Sequence, residues 1–190
     1  MANPLDYLKE KTQTKFDYFY YPLNEGYGAI CNQLYKDIKD NVLLETHVIG
    51  LEHQKGKIKT IVFKHNNQEN RLHVDKVIST LPIDLLAKML DFELPLTYQA
   101  VNAVYLLIKK EKVSNLHWIY FIDRDISINR LVEFKNMSSL NTPHELTVLC
   151  AEVTQNHPNI IRKVIDDLTR IGYITKKDVL DTKIVRNKYG

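Results

Sequence analysis

The chain has 190 residues, enough to bury a core in one domain or two small ones, and its 44% hydrophobic and 26% charged residues are those of a globular rather than a disordered protein. A net charge of +3, with Lys and Arg scattered rather than massed, argues against a nucleic-acid surface. Met1 leads into Asn-Pro-Leu-Asp without a basic start, and no apolar run approaches about 20 residues, so neither a secretory leader nor a membrane span is expected.

Residues 3–14 read as a short helix or helix end behind Asn3-Pro4, and Phe16 to Tyr21 as an extended aromatic stretch stopped by Pro22. From Tyr27 to Ile38 the apolar residues Ile30, Leu34 and Ile38 recur every four positions, which predicts an amphipathic helix. Val42 to Thr46 and Val48 to Leu51 are strand-like. Lys55-Gly56 and Asn66-Asn67 are turns, with strands at Ile58 to Lys64 and Arg71 to Ser79, so a small β-meander is expected. Pro82 opens a helix over Ile83 to Leu90. After Pro95 come four predicted strands, Ala100 to Lys109, Trp118 to Ile122, Asn129 to Phe134 and Leu146 to Val153. A helix then runs from Pro158 to Ile171, closed by Gly172, and the last strand is Thr182 to Val185.

Few chemistry-bearing patterns stand out. Cys31 and Cys150 are far apart and read as free buried thiols in a reducing cytoplasm, the expected location, and the seven histidines have no metal-ligand spacing, so no metal site is expected. There is no Gly-x-Ser-x-Gly elbow and no nucleotide-triphosphate loop. Gly26-Tyr27-Gly28 lacks a third glycine and a preceding strand, so it is not a dinucleotide fingerprint.

The ordered segments do carry a resemblance. Tyr20-Tyr21-Pro22 to Gly28 before a helix, Val42 to Leu51, and Val77-Ile78-Ser79-Thr80-Leu81-Pro82 together resemble the flavin-containing amine oxidoreductase superfamily. Trp118 to Asp123, Arg130 to Ser138, and Glu152 within Leu149-Cys150-Ala151-Glu152-Val153 are similar to its protoporphyrinogen oxidase-like and UDP-galactopyranose mutase-like branch. That branch is often associated with surface-polysaccharide synthesis. The resemblance implies an α+β chain: part of an FAD/NAD(P)-binding fold (β-meander plus helices) with a mixed-sheet substrate domain. It implies the end of a helical segment at 1–20, FAD-domain elements at 21–92, the substrate-domain sheet and helix at 93–180, and a strand returning to the FAD domain at 181–190.

The function so implied is the middle portion of an FAD-dependent oxidoreductase or flavin-dependent mutase acting on a small molecule, inactive by itself and prone to self-association. The alternative is a stand-alone, non-catalytic binding domain without the cofactor half. The resemblance places Val48 at the adenine through its main chain, and Ser79, Thr80 and Leu81 along the flavin cleft, where ligands of such folds gather at strand ends. A packed strand residue, and a strand stop whose hydroxyl caps the next helix, are the plainer readings of these positions. Arg130 and Asn136 share strand parity. A guanidinium fork at Arg130 suits an anionic substrate group, or equally an ion pair with Glu133 or Glu152. Trp118 and Tyr120 share one strand face and line a substrate cavity or belong to the core.

Overall fold

The computed structural model describes residues 19–189. The expected helix at 3–14 and the start of the aromatic stretch lie outside them. Helix α1 spans Gly28–Ile38 and is followed by the strands β1 (Thr46–Gln54), β2 (Lys57–His65) and β3 (Gln68–His73). These form an antiparallel three-stranded sheet in the order β1-β2-β3. Its two hairpins close through two-residue loops in which Lys55 (φ 50°) and Gly56 (φ 72°), then Asn66 (φ 51°) and Asn67 (φ 63°), all take positive φ. That pattern is the type I′ turn, whose twist matches that of the flanking strands. Val42 to Leu44 is not strand. The β1 register shifts between Val48 and Gly50, a bulge at Ile49.

Beyond His73 the expected strand stops. Residues 77–81 pair with no strand among the described residues, and Ile78 is 96% exposed. Helix α2 (Ile83–Met89) follows Pro82 and lies against β1. It ends in a Schellman motif: Asp91 takes φ 60°, and the Phe92 N–H bonds the Ala87 carbonyl at 2.9 Å.

The second half is a five-stranded sheet built from β4 (Val101–Ile108), β5 (Trp118–Tyr120), β6 (Arg130–Glu133), β7 (Thr147–Val153) and β8 (Val179–Asn187), in the order β5-β6-β7-β4-β8. Every neighbouring pair is antiparallel, which corrects the expectation of a mixed sheet. The reason is topological. β7 and β8 run parallel and are joined through helix α4 (Ile160–Arg170), but β4 lies between them, so the unit is a split βαβ in which no parallel strands touch. From Val179 to Asn187, β8 is hydrogen-bonded along β4.

Alternation in the strands decides the layering. Val104, Leu106 and Ile108 of β4, Leu149, Ala151 and Val153 of β7, and Leu131 of β6 point to one face and meet Ile160, Val164 and Leu168 of α4 in the main core. Each Val, Leu or Ile among them contributes about 1.5–3 kcal/mol on burial. Gly172 (φ 81°) ends α4, with the Tyr173 N–H on the Leu168 carbonyl at 3.0 Å, as its position in the sequence predicts.

The meander half is thinner. None of the residues of α1 is buried, and its apolar stripe of Ile30, Leu34 and Ile38 faces outward.

Candidate functional site

The face of the five-stranded sheet opposite α4 carries a different set of side chains. Cross-strand register brings them into two rows. Tyr120 faces Arg130, Arg130 faces Glu152, and Glu152 faces Ala103; in the next row Trp118 faces Val132, Val132 faces Cys150, and Cys150 faces Tyr105. Aromatic, cationic and acidic groups thus share one surface because each strand alternates with period two.

Arg130 is bound as a fork. Its Nε donates to Glu152 Oε2 at 2.9 Å, its Nη2 donates to Glu152 Oε1, and its Nη1 reaches the Tyr120 hydroxyl at 3.5 Å. The guanidinium carbon also sits 5.9 Å from the centre of the Tyr120 ring. The hydrogen bond to Glu152 holds the guanidinium pKa above its ordinary value, against the opposing effect of desolvation. Of the two acids weighed for Arg130, Glu152 is its partner.

Tyr120 is 63% exposed and Trp118 42%, so neither is a core residue. Trp118 is flanked by His117 and by Phe19, whose ring centre lies 5.6 Å away. Toward the middle of the face, Tyr105 stacks on Phe134 at 6.2 Å. Burial pushes the Cys150 thiol up to about 11, with the Glu152 charge adding to it. Burial likewise raises Tyr105.

Asn136 departs from the expected geometry. Strand β6 ends at Glu133, and the chain turns into the short helix α3 (Phe134–Met137), so Asn136 shares no strand parity with Arg130. Its amide nitrogen donates to the carbonyls of Ser114 (3.0 Å) and Leu116 (2.9 Å) and to Glu133 Oε2 (3.1 Å). It fastens the loop before β5.

Glu133, weighed above only as a partner for Arg130, and Lys135 and Ser138, given no role there, do comparable work. The buried Glu133 carboxylate accepts from the Val113 N–H, the Ser114 N–H and hydroxyl, and the Thr147 hydroxyl, at 2.8–2.9 Å. The buried Lys135 ammonium donates to the carbonyls of Pro143 (2.7 Å), His144 and Leu146 (2.9 Å). Ser138 Oγ donates to the Leu23 carbonyl at 2.6 Å and ties the Tyr-Pro segment to this half. The available signal was polar Glu133, Lys135 and Asn136 set among the apolar Leu131, Val132, Phe134 and Met137.

The residues assigned to a cofactor lie in the meander half. Val48 is half-buried on β1, the edge strand, beside the bulge. Ser79, Thr80 and Leu81 are exposed, and Ser79 Oγ accepts the Leu81 N–H at 3.2 Å in a local turn rather than capping α2. On the far face of the five-stranded sheet, a groove of about 710 Å³ runs between α4 and β8, lined by Ile161, Ile165, Ile184, Arg162 and Arg186. Among the described residues no cluster of His, Cys, Asp or Glu could hold a metal ion, and no helix is long and apolar enough to cross a membrane.

A helix-backed antiparallel sheet beside a three-stranded meander is an α+β arrangement shared with part of several larger proteins of known structure. A crystal structure of reduced UDP-galactopyranose mutase matches with TM-score 0.76 at 20% identity, over 90% of this chain and 41% of that one. A protein from Exiguobacterium sp. 255-15 named for protoporphyrinogen oxidase matches with TM-score 0.58 at 17% identity, over 82% of this chain and 38% of that one. An oxidoreductase from Methanosarcina mazei matches with TM-score 0.52 at 16% identity, over 76% and 37%. The chain therefore spans about two-fifths of the length of these structures. Residues 5–163 match the model of the UDP-galactopyranose mutase (GLF) family, and the chain belongs to that family. No curated protein matches it in sequence.

Proposed function

We propose that the chain is the substrate-binding portion of a UDP-galactopyranose mutase-like flavoprotein, and that its UDP-sugar lies on the open face of the five-stranded sheet. The observation that carries this reading is the juxtaposition of exposed Trp118 and Tyr120 with the Arg130 guanidinium on one surface of a chain from this family. Flat aromatic rings offer apolar area to a sugar or a uracil, and a guanidinium fork suits a phosphate oxygen. Asn136 serves that face indirectly, through the loop it fastens.

The family match favours rearrangement of a sugar nucleotide, in the setting of surface-polysaccharide synthesis, over electron transfer to an outside acceptor. A bound FAD would supply the electron chemistry. In this chain the Val48 main chain and the exposed Ser79, Thr80 and Leu81 are the groups that would hold it, and the bulged edge of β1 supports the assignment by leaving outer backbone groups without a strand partner among the described residues. The chain alone is expected to show no turnover. The outward apolar stripe of α1 and the exposed Ile78 support the same view, since both are surfaces that a larger fold would cover.

Saturation-transfer NMR with UDP-galactose tests the reading. Transfer to the uracil and sugar protons that is abolished by Trp118→Ala supports it. Absence of transfer, or transfer indifferent to Trp118, argues against it.

A further inference from the structure

β5 is three residues long and, among the described residues, lies at the edge of its sheet and pairs only with β6. So short an edge strand is held by few ladder hydrogen bonds, yet it carries both exposed aromatics of the candidate face. Its anchorage comes from the segment just before it. The Glu133 N–H bonds the His117 carbonyl at 3.0 Å. The Glu133 side chain then collects five donors: the Val113 N–H and Thr147 hydroxyl on Oε1, and the Ser114 N–H, the Ser114 hydroxyl and the Asn136 amide on Oε2. Only an ionised carboxylate presents two acceptor oxygens and no donor. An amide in its place would turn an NH₂ toward at least two of these donors.

We propose that Glu133 is a positioning residue for the sugar-nucleotide face: by gathering residues 113–114, Asn136 and Thr147 around one carboxylate, it sets where Trp118 and Tyr120 stand. The part of this proposal that concerns ligand rests on the reading above. The part that concerns Trp118 does not.

Trp118 is the sole tryptophan of the chain, so emission excited at the red edge, where the tyrosines do not absorb, reports its surroundings alone. The test compares Glu133→Gln with Asp167→Asn. Asp167 is a second buried carboxylate, and it fastens Ser127 and Lys163 rather than residues 113–114. In the folded protein without ligand, Glu133→Gln shifts Trp118 emission to the red and raises its quenching by acrylamide, whereas Asp167→Asn changes neither even though it lowers the melting temperature. In calorimetric titration, UDP-galactose binds Glu133→Gln about tenfold more weakly, a loss of the order of one hydrogen bond, and binds Asp167→Asn as it binds the wild type. A Glu133→Gln protein with unchanged Trp118 fluorescence, or an Asp167→Asn protein with the same shift, would overturn the proposal. If Glu133→Gln does not fold, Ser114→Ala removes one of the five donors and keeps the carboxylate. It should give a smaller shift in the same direction, and wild-type fluorescence would again overturn the proposal. If the wild type does not bind UDP-galactose, the substrate reading fails while the fluorescence arm still decides the role of Glu133 toward Trp118.

Discussion

Arg130 stands directly opposite Glu152 on adjacent antiparallel strands, and both oxygens of that carboxylate are engaged by its guanidinium fork. The charge that would attract a diphosphate is therefore already balanced by a neighbour on the same face. Replacing Glu152 with Gln keeps the shape and removes the competing charge, so UDP should bind about three- to tenfold more tightly, with a steeper dependence on salt. Arg130→Ala leaves Glu152 facing the ligand and should abolish measurable binding. Calorimetric titration of UDP at low and high salt checks both. Weaker binding by Glu152→Gln would show that Arg130 meets the ligand only when oriented by its partner.

The two thiols should behave differently. Cys31 is exposed on α1, which buries none of its residues, and this corrects the expectation of two buried thiols; Cys150 is buried in the sheet with its pKa pushed up to about 11. A thiol-reactive chromophore should modify one cysteine quickly and the other only on unfolding. A folded pKa above the unfolded one favours the neutral thiol, so the contribution of Cys150 to stability is whole below pH 9.0 and is lost as pH rises toward about 11. Cys150→Ala should flatten that alkaline fall. Rapid modification of both thiols in the folded protein would contradict this account.

Asp167 holds one end of α4 to the loop before β6. It accepts from the Ser127 N–H at 2.9 Å and hydroxyl at 2.6 Å, and from Lys163 Nζ at 2.8 Å. Burial alone would raise its pKa, but the bonds from Lys163 and Ser127 outweigh it and hold the carboxyl below its usual value. The sign follows: this stability is present above the unfolded pKa of about 4 and is lost as pH falls through the lower folded value. Asp167→Asn should cost about 1–3 kcal/mol at neutral pH and give a shallower acid limb in thermal melts from pH 7 downward. An acid limb unchanged by the substitution would remove Asp167 from this role.

Much of the architecture was readable from periodicity. The four-residue spacing of Ile30, Leu34 and Ile38, the turn pairs Lys55-Gly56 and Asn66-Asn67, and Gly172 at a helix end each express a local rule, and each element is found where that rule places it. What was not readable is non-local. Val77 to Leu81 has the composition of a strand, but strand formation needs a partner, and none of the described residues pairs with it. The mixed sheet was expected from the family resemblance, and the place of β4 between β7 and β8 cannot be seen from spacing. In the candidate face, the parity of Trp118 with Tyr120 holds because β5 is regular over those residues. The parity of Arg130 with Asn136 fails because the chain leaves the strand after Glu133.

The outward stripe of α1 makes a prediction for the chain in isolation. Ile30, Leu34 and Ile38 are exposed together, and Leu34 is 64% accessible. Sedimentation velocity should find concentration-dependent self-association, and Ile30→Glu with Leu34→Glu should return a monomer with unchanged secondary structure. Persistent association of the double variant would move the sticky surface elsewhere, for example to Ile78 and Leu81.

The most direct test of the account is a titration of the protein with UDP-galactose, followed through the fluorescence of Trp118, in the wild type and in Arg130→Ala. The account predicts a saturable change in the wild type that UDP reverses by competition and that Arg130→Ala abolishes. No saturable change in the wild type, or an identical change in Arg130→Ala, would contradict the assignment of the open sheet face to a sugar nucleotide.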